Sequence, residues 1–209
     1  MKFYDLIIFD LDGTLLDTSP AIFGSVRYAE KQLRLTPIDE DSLSLFVGPP
    51  PKTMYKKIYN LDDEQAMRAA QFHREYGRTE GIRKAQPYDG MASTLQELKN
   101  RGYLLAVGTL KAQDIAKTVL KENALYDYFD LVVGMDKDET LTKSKIILHI
   151  KNSLQSQHAL MVGDSQYDYD GAQEAGISFC GVTYGFGFKS SEHFSFTVIS
   201  TPSELLDLL

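Results

Sequence analysis

An α/β architecture is predicted: a parallel sheet flanked by helices, with a small helical bundle inserted near its beginning. Three observations carry this. The run Leu6-Ile7-Ile8-Phe9 is short, wholly apolar and ends at an aspartate, as a strand buried on both faces does. From Pro87 onward, short apolar runs alternate with segments of helical periodicity, the order that builds a parallel sheet with right-handed crossovers. Between them, residues 15–86 show helical patterning and no strand pattern.

Within that insertion, Pro20 opens a helix in which Ile22, Val26, Ala29 and Leu33 recur on one face. Asp39 or Asp41 suits the cap of a short helix ending near Phe46. Val47-Gly48-Pro49-Pro50-Pro51 interrupts, and the next helix carries Met54, Tyr55 and Ile58. Asp62 starts a longer helix whose Ala66, Ala69, Ala70, His73 and Tyr76 form one face. The division expected is therefore a core of residues 1–14 and 87–209 and a helical unit of residues 15–86. In the core, helices near Met91–Arg101, Gln113–Asn123, Lys143–Leu154 and Tyr169–Ala175 alternate with strands at Tyr103–Val107, Asp130–Gly134, Ala159–Gly163 and Ile177–Val182. A short helix comes after Ser203.

Whole-chain properties narrow the function. A net charge of −7 argues against non-specific nucleic-acid binding, which needs a basic face. No apolar stretch has the length of a membrane span and no leader pattern is evident, so the expected location is the cytoplasm. The single cysteine, Cys180, has no partner for an internal disulfide and reads as core filler. A monomer or a homodimer is expected.

The chemistry gathers where parallel strands end, since ligands of open α/β sheets bind beyond the carboxyl ends of the strands. Asp10-Leu11-Asp12-Gly13-Thr14 comes directly after the first strand and places two carboxylates two residues apart. Keeping both ionised calls for a hard, oxygen-ligated cation such as Mg²⁺. An acidic turn would account for Asp and Gly here, but not for the residues at the ends of the other strands. Thr109, after Val107-Gly108, offers a hydroxyl and free amides for a phosphate oxygen. Gly163-Asp164-Ser165-Gln166-Tyr167-Asp168 brings two more carboxylates to the same edge, more than an N-cap requires. Thr142-Lys143-Ser144-Lys145 supplies the positive counterpart, Lys143 preferred over Lys145. None of the four histidines adjoins these motifs, and the cysteine lies inside a strand, against histidine, zinc or thiol chemistry. Gly185-Phe186-Gly187 reads as a loop near the site.

Taken together, DLDGT at Asp10–Thr14, Thr109, Lys143 and GDSQYD at Gly163–Asp168 resemble the haloacid dehalogenase-like superfamily over essentially the whole chain. Phe46-Val47-Gly48-Pro49-Pro50, Tyr88-Asp89-Gly90 and Thr142-Lys143 with Ile146-Ile147 look most like its phosphoglycolate phosphatase and 5′-nucleotidase branch. Leu110 departs from the Asn or Ser common after the second-motif threonine, and no proline comes after Lys143. The resemblance implies a Rossmann-like core, an α-helical cap and Mg²⁺-dependent hydrolysis of a small phosphomonoester. Asp10 would be the nucleophile and Asp12 the general acid and base. Thr109 and Lys143 would hold the phosphoryl group. The metal set would be Asp10, Asp12 through its main-chain carbonyl, Asp164 and Asp168. The segment Val47–Lys52 is expected to face the pocket, with Lys52 or Arg83 as substrate contacts. The same core motifs also suit a phosphosugar mutase; a non-catalytic binding module on this fold is the less favoured alternative, since it would not need to keep Asp10, Asp12, Thr109, a lysine and Asp164 together.

Overall fold

A computed structural model of the chain describes residues 3–136, 140–190 and 193–209. Among these residues the main sheet has six parallel strands: β1 (Leu6–Phe9), β4 (Leu104–Ala112), β5 (Leu131–Met135), β6 (Ala159–Gly163), β7 (Ser178–Val182) and β8 (Thr197–Ile199). They lie in the order β5-β4-β1-β6-β7-β8, so the chain runs outward from β1 on both sides. The predicted parallel sheet is thus present, with β1 in its interior.

Alternation of side chains across the pleat explains why β1 is apolar at every position. Ile7 and Phe9 enter one layer with Leu95 and Leu98 of α5 (Met91–Asn100) and Val119 and Leu120 of α6 (Gln113–Glu122). Leu6 and Ile8 enter the opposite layer with Ile146, Ile147 and Ile150 of α7 (Lys143–Ser153) and Ala172 of α8 (Gln166–Glu174). Cys180 is buried in the first layer, and burial pushes its thiol up to about 12, so it is inert filler.

Four helices are inserted after β1: α1 (Ser19–Leu33), α2 (Glu40–Ser44), α3 (Pro51–Tyr59) and α4 (Asp63–Arg78). They enclose a third apolar cluster, in which Ile22, Val26 and Ala29 meet Phe46, Tyr55, Ala66 and Ala69. Local chemistry sets their ends: Pro20 lies in the first turn of α1, the Asp39 carboxylate caps α2, and Asp62 with Gln65 forms a capping box on α4. Glu30 is buried there and accepts hydrogen bonds from Arg27, Tyr59 and the Ile38 amide.

The structure corrects three expectations. Residues 15–86 show no strand pattern, yet β2 (Leu16–Asp17) pairs antiparallel with β3 (Gln86–Pro87) at the neck of the insertion. The second core strand does not stop at Val107 but continues to Ala112, with an irregularity between Gly108 and Ala112. The helix expected from Tyr169 starts at Gln166, because Ser165 and Asp168 form a capping box. Beyond β8, a 3₁₀ turn at Pro202–Glu204 leads into α9 (Leu205–Leu208), the expected final helix.

Candidate active site

The register of the central strands fixes what meets at their ends. Phe9 lies abreast of Val107 and Val162, and the Asp10 amide donates to the Val162 carbonyl at 2.9 Å. Asp10 therefore leaves the sheet beside Gly108 and Gly163, with Thr109 and Asp164 one residue further out. Gly13 turns the chain with φ of 81°, a left-handed conformation, and a Cβ there would strike the Asp164 carboxylate. The turn and the carboxylate are built to lie against one another.

Asp10, Asp164 and Asp168 each present an oxygen within 4.8 Å of the other two, and all three are buried. Lys143, also buried, places its Nζ 2.6 Å from Asp10 Oδ1, 2.7 Å from Asp168 Oδ1 and 2.9 Å from the Gly108 carbonyl oxygen. It stands at the first position of α7, where the helix dipole disfavours a cation, so the two carboxylates hold it against that field. Burial opposes its charge, but Asp10 and Asp168 outweigh this and raise its pKa. Burial pushes Asp10 up to about 7 despite Lys143, with Asp168 and Asp12 adding in the same direction. Asp164 is raised well above the carboxylate range by burial and by Asp168 and Asp10. Its Oδ2 accepts from the amides of Phe186 at 2.8 Å and Gly187 at 3.3 Å. Its Oδ1 is buried with no hydrogen-bond partner among the described residues.

Asp12 turns to a different neighbour. Both its oxygens accept from Lys111 Nζ, at 2.8 and 3.0 Å. Thr109 is buried, and its hydroxyl accepts from the Lys111 amide at 3.1 Å. Lys145, the alternative to Lys143, is exposed and enters none of these contacts.

A cavity of about 820 Å³ opens from Asp12 and Lys111 between the inserted helices and the sheet. Gly48, Pro49 and Pro51 line it, whereas Pro50 and Lys52 line a smaller cavity of about 450 Å³ beside Lys143. The segment Val47–Lys52 thus contributes to both; Arg83 lines neither. His73 is on the wall of the larger cavity with Nδ1 3.3 Å from the Tyr55 hydroxyl, and burial holds its pKa down at about 3, so it is neutral.

With this geometry in place, comparison with known proteins is informative. A family profile described as haloacid dehalogenase-like hydrolase matches residues 7–182. The chain belongs to the haloacid dehalogenase-like hydrolases. A 5′-nucleotidase of Pseudomonas aeruginosa is 35% identical over 88% of this chain and 85% of its own. A phosphoglycolate phosphatase of Aquifex aeolicus is 29% identical over 98% of this chain and 96% of its own. The crystal structure of a predicted phosphatase from Clostridium acetobutylicum superposes with a TM-score of 0.90 at 36% identity, covering 99% of this chain and 100% of that one. This haloacid dehalogenase-like protein is a hydrolase of the phosphatase type.

For a hydrolase of this family, the carboxylate group fits a hard divalent cation on its donor chemistry: three buried carboxylates, one with an orphaned oxygen. Two features escape sequence reading. Lys111 is hidden when the strand is ended at Val107, and no alternation marks it, because the pairing is irregular between Gly108 and Ala112. The Phe186 and Gly187 amides carry no side-chain signature, although the loop containing them lies near the site as expected.

Proposed function

We propose that this hydrolase cleaves a small phosphomonoester with Mg²⁺ through an aspartyl-phosphate on Asp10. The observation that carries the reading is the buried Lys143 joining Asp10 to Asp168, with Asp164 within reach of both carboxylates. Lys143 fixes one Asp10 oxygen, which leaves the other to face phosphorus. Asp10 attacks phosphorus; the bond from phosphorus to the alcohol oxygen breaks, and that oxygen takes a proton from Asp12. Water then attacks the acyl phosphate, giving its proton to Asp12, and phosphate departs as the Asp10 carboxylate is restored. Lys111, in contact with both Asp12 oxygens, sets the position from which this exchange occurs.

Asp10, Asp164, Asp168 and the Asp12 carbonyl would hold the metal, which when bound supplies positive charge for the phosphoryl oxygens. Thr109 and the amides around it position those oxygens, and positioning is most of what phosphoryl transfer asks of a protein. In this reading residues 15–86 act as a cap over a core of residues 1–14 and 87–209, excluding water until the phosphoenzyme has formed. The cytoplasm is the location consistent with such a substrate; among the described residues no helix is long and apolar enough to cross a membrane.

The test is turnover of p-nitrophenyl phosphate by the purified chain. Activity is expected with Mg²⁺ and its loss with chelator, and Asp10→Asn should lower kcat by at least about 10³-fold while retaining the native circular dichroism spectrum. Equal turnover by Asp10→Asn would remove the nucleophile and the proposal with it.

A further inference from the structure

Gly77 lies in the last turn of α4, with backbone angles outside the left-handed region that favours glycine. Among the described residues, a Cβ built on it would meet only Ile115 Cδ1 at 3.8 Å and Ser25 Oγ at 3.9 Å, ordinary van der Waals distances. Neither chain geometry nor close packing therefore requires a glycine there. Elsewhere in the same helix bundle the contrast is plain: a Cβ on Gly24 would collide with the Tyr76 ring. A glycine weakens a helix relative to alanine, so one that packing does not demand calls for another cause. Gly77, Ser25 and Ile115 all line the 820 Å³ cavity, and the missing side chain is part of what keeps it open.

That cavity begins at Asp12, the group that protonates the departing oxygen, so it is where the alcohol portion of the substrate belongs. Its volume suits a ligand with rings rather than a two-carbon acid, which would leave most of it to water. Its walls include Ile22, Phe46, Leu110 and Ile115, apolar surface that favours the face of a ring. Lys111, the cavity-lining cation in contact with Asp12, is already engaged by both oxygens of that carboxylate, so it is poorly placed to hold the carboxylate of a short acid.

We infer that the site takes phosphomonoesters of a bulky, ring-bearing alcohol of nucleoside size, and that Gly77 determines this preference by leaving room between α1, α4 and α6. The inference rests on the phosphatase reading and deepens it.

The experiment compares kcat/KM for adenosine 5′-monophosphate and 2-phosphoglycolate in wild type, Gly77→Ala and Gly77→Leu. Wild type is expected to favour the nucleotide by tenfold or more. Gly77→Leu should lower that ratio at least tenfold, chiefly by raising KM for the nucleotide. Gly77→Ala should raise the thermal midpoint and move the ratio far less. A wild-type preference for phosphoglycolate, or a folded Gly77→Leu protein with an unchanged ratio, would overturn the inference. Should Gly77→Leu fail to fold, Ser25→Leu fills the same space from α1 and is read by the same ratio. Absence of turnover on p-nitrophenyl phosphate and on both esters would instead overturn the underlying phosphatase reading.

Discussion

Asp12 and Lys111 show how much of this site depends on a single pairing. The Asp12 carboxylate is 6% exposed and the Lys111 side chain 16% exposed, so their contacts at 2.8 and 3.0 Å are only weakly screened by water. On the proposed mechanism Asp12 moves a proton; held this way it has one orientation available to it, and a displacement of about 1 Å in such a group can lower a rate ~10²-fold. Lys111→Met keeps most of the stem and removes the ammonium. It should lower kcat by about 10- to 100-fold with a smaller change in KM, short of the ~10²–10⁴-fold expected for loss of the general acid itself. Lys111→Arg should recover part of the loss, because it restores a cation to Asp12. Steady-state kinetics on p-nitrophenyl phosphate decide this; a Lys111→Met variant with unchanged kcat would show that Lys111 positions nothing.

At the scale of elements, α7 is organised around a cation where a helix would rather have an anion. Thr142 caps the helix by accepting from the Lys145 amide, and Ile146, Ile147 and Ile150 anchor it to the sheet, which leaves Lys143 at the N-terminus facing Asp10 and Asp168. Breaking a buried ion pair by removing one partner typically destabilises by ~3–5 kcal/mol, because the other charge is stranded. Lys143→Met should therefore reduce the unfolding free energy of the metal-free chain by about that amount at neutral pH, measured by urea denaturation. Loss below ~1 kcal/mol would mean that the carboxylates find other compensation. This helix is legible in the sequence because its cap, its lysine and its isoleucine spacing all point the same way. So are β1, β6 and β7, whose apolar runs end at glycine, aspartate or a turn. β2, β3 and β8 are not, because two or three residues are too few to show alternation, and only the pairing of Leu16 with Pro87 or of Val182 with Ile199 defines them. The excess length of β4 is hidden by Gly108, which reads as a strand end yet sits inside one.

For the molecule as a whole, the carboxylate cluster couples folding to pH and, on the proposed metal assignment, to cations. Unfolded, Asp10 releases its proton near the ordinary value of 3.8; folded, burial pushes the release up to about 7. Below about pH 4 both states are protonated and the group is neutral toward stability. Between there and about 7 the folded state holds a proton that the unfolded chain has given up, so stability falls as pH rises and the fall is complete above 7. Asp164, raised by the same burial, acts in the same direction. Carboxylates such as Asp63, held low by Lys56, act oppositely but only in the acid range. A divalent cation competes with the retained protons, so it should bind and stabilise most where they have left. The thermal midpoint of metal-free protein should therefore decline between pH 5 and 8. Saturating Mg²⁺ should raise it more at pH 8 than at pH 5, the underlying stabilisation reaching ~2.7 kcal/mol when the ion is at about a hundred times its Kd. Asp10→Asn isolates the cause: lacking the titrating group, its midpoint should decline less over the same interval, and its Mg²⁺ increment at pH 8 should shrink. An increment that is equal at both pH values in the wild type would separate cation binding from these carboxylates, and with it the assignment of Asp10, Asp164 and Asp168 as ligands.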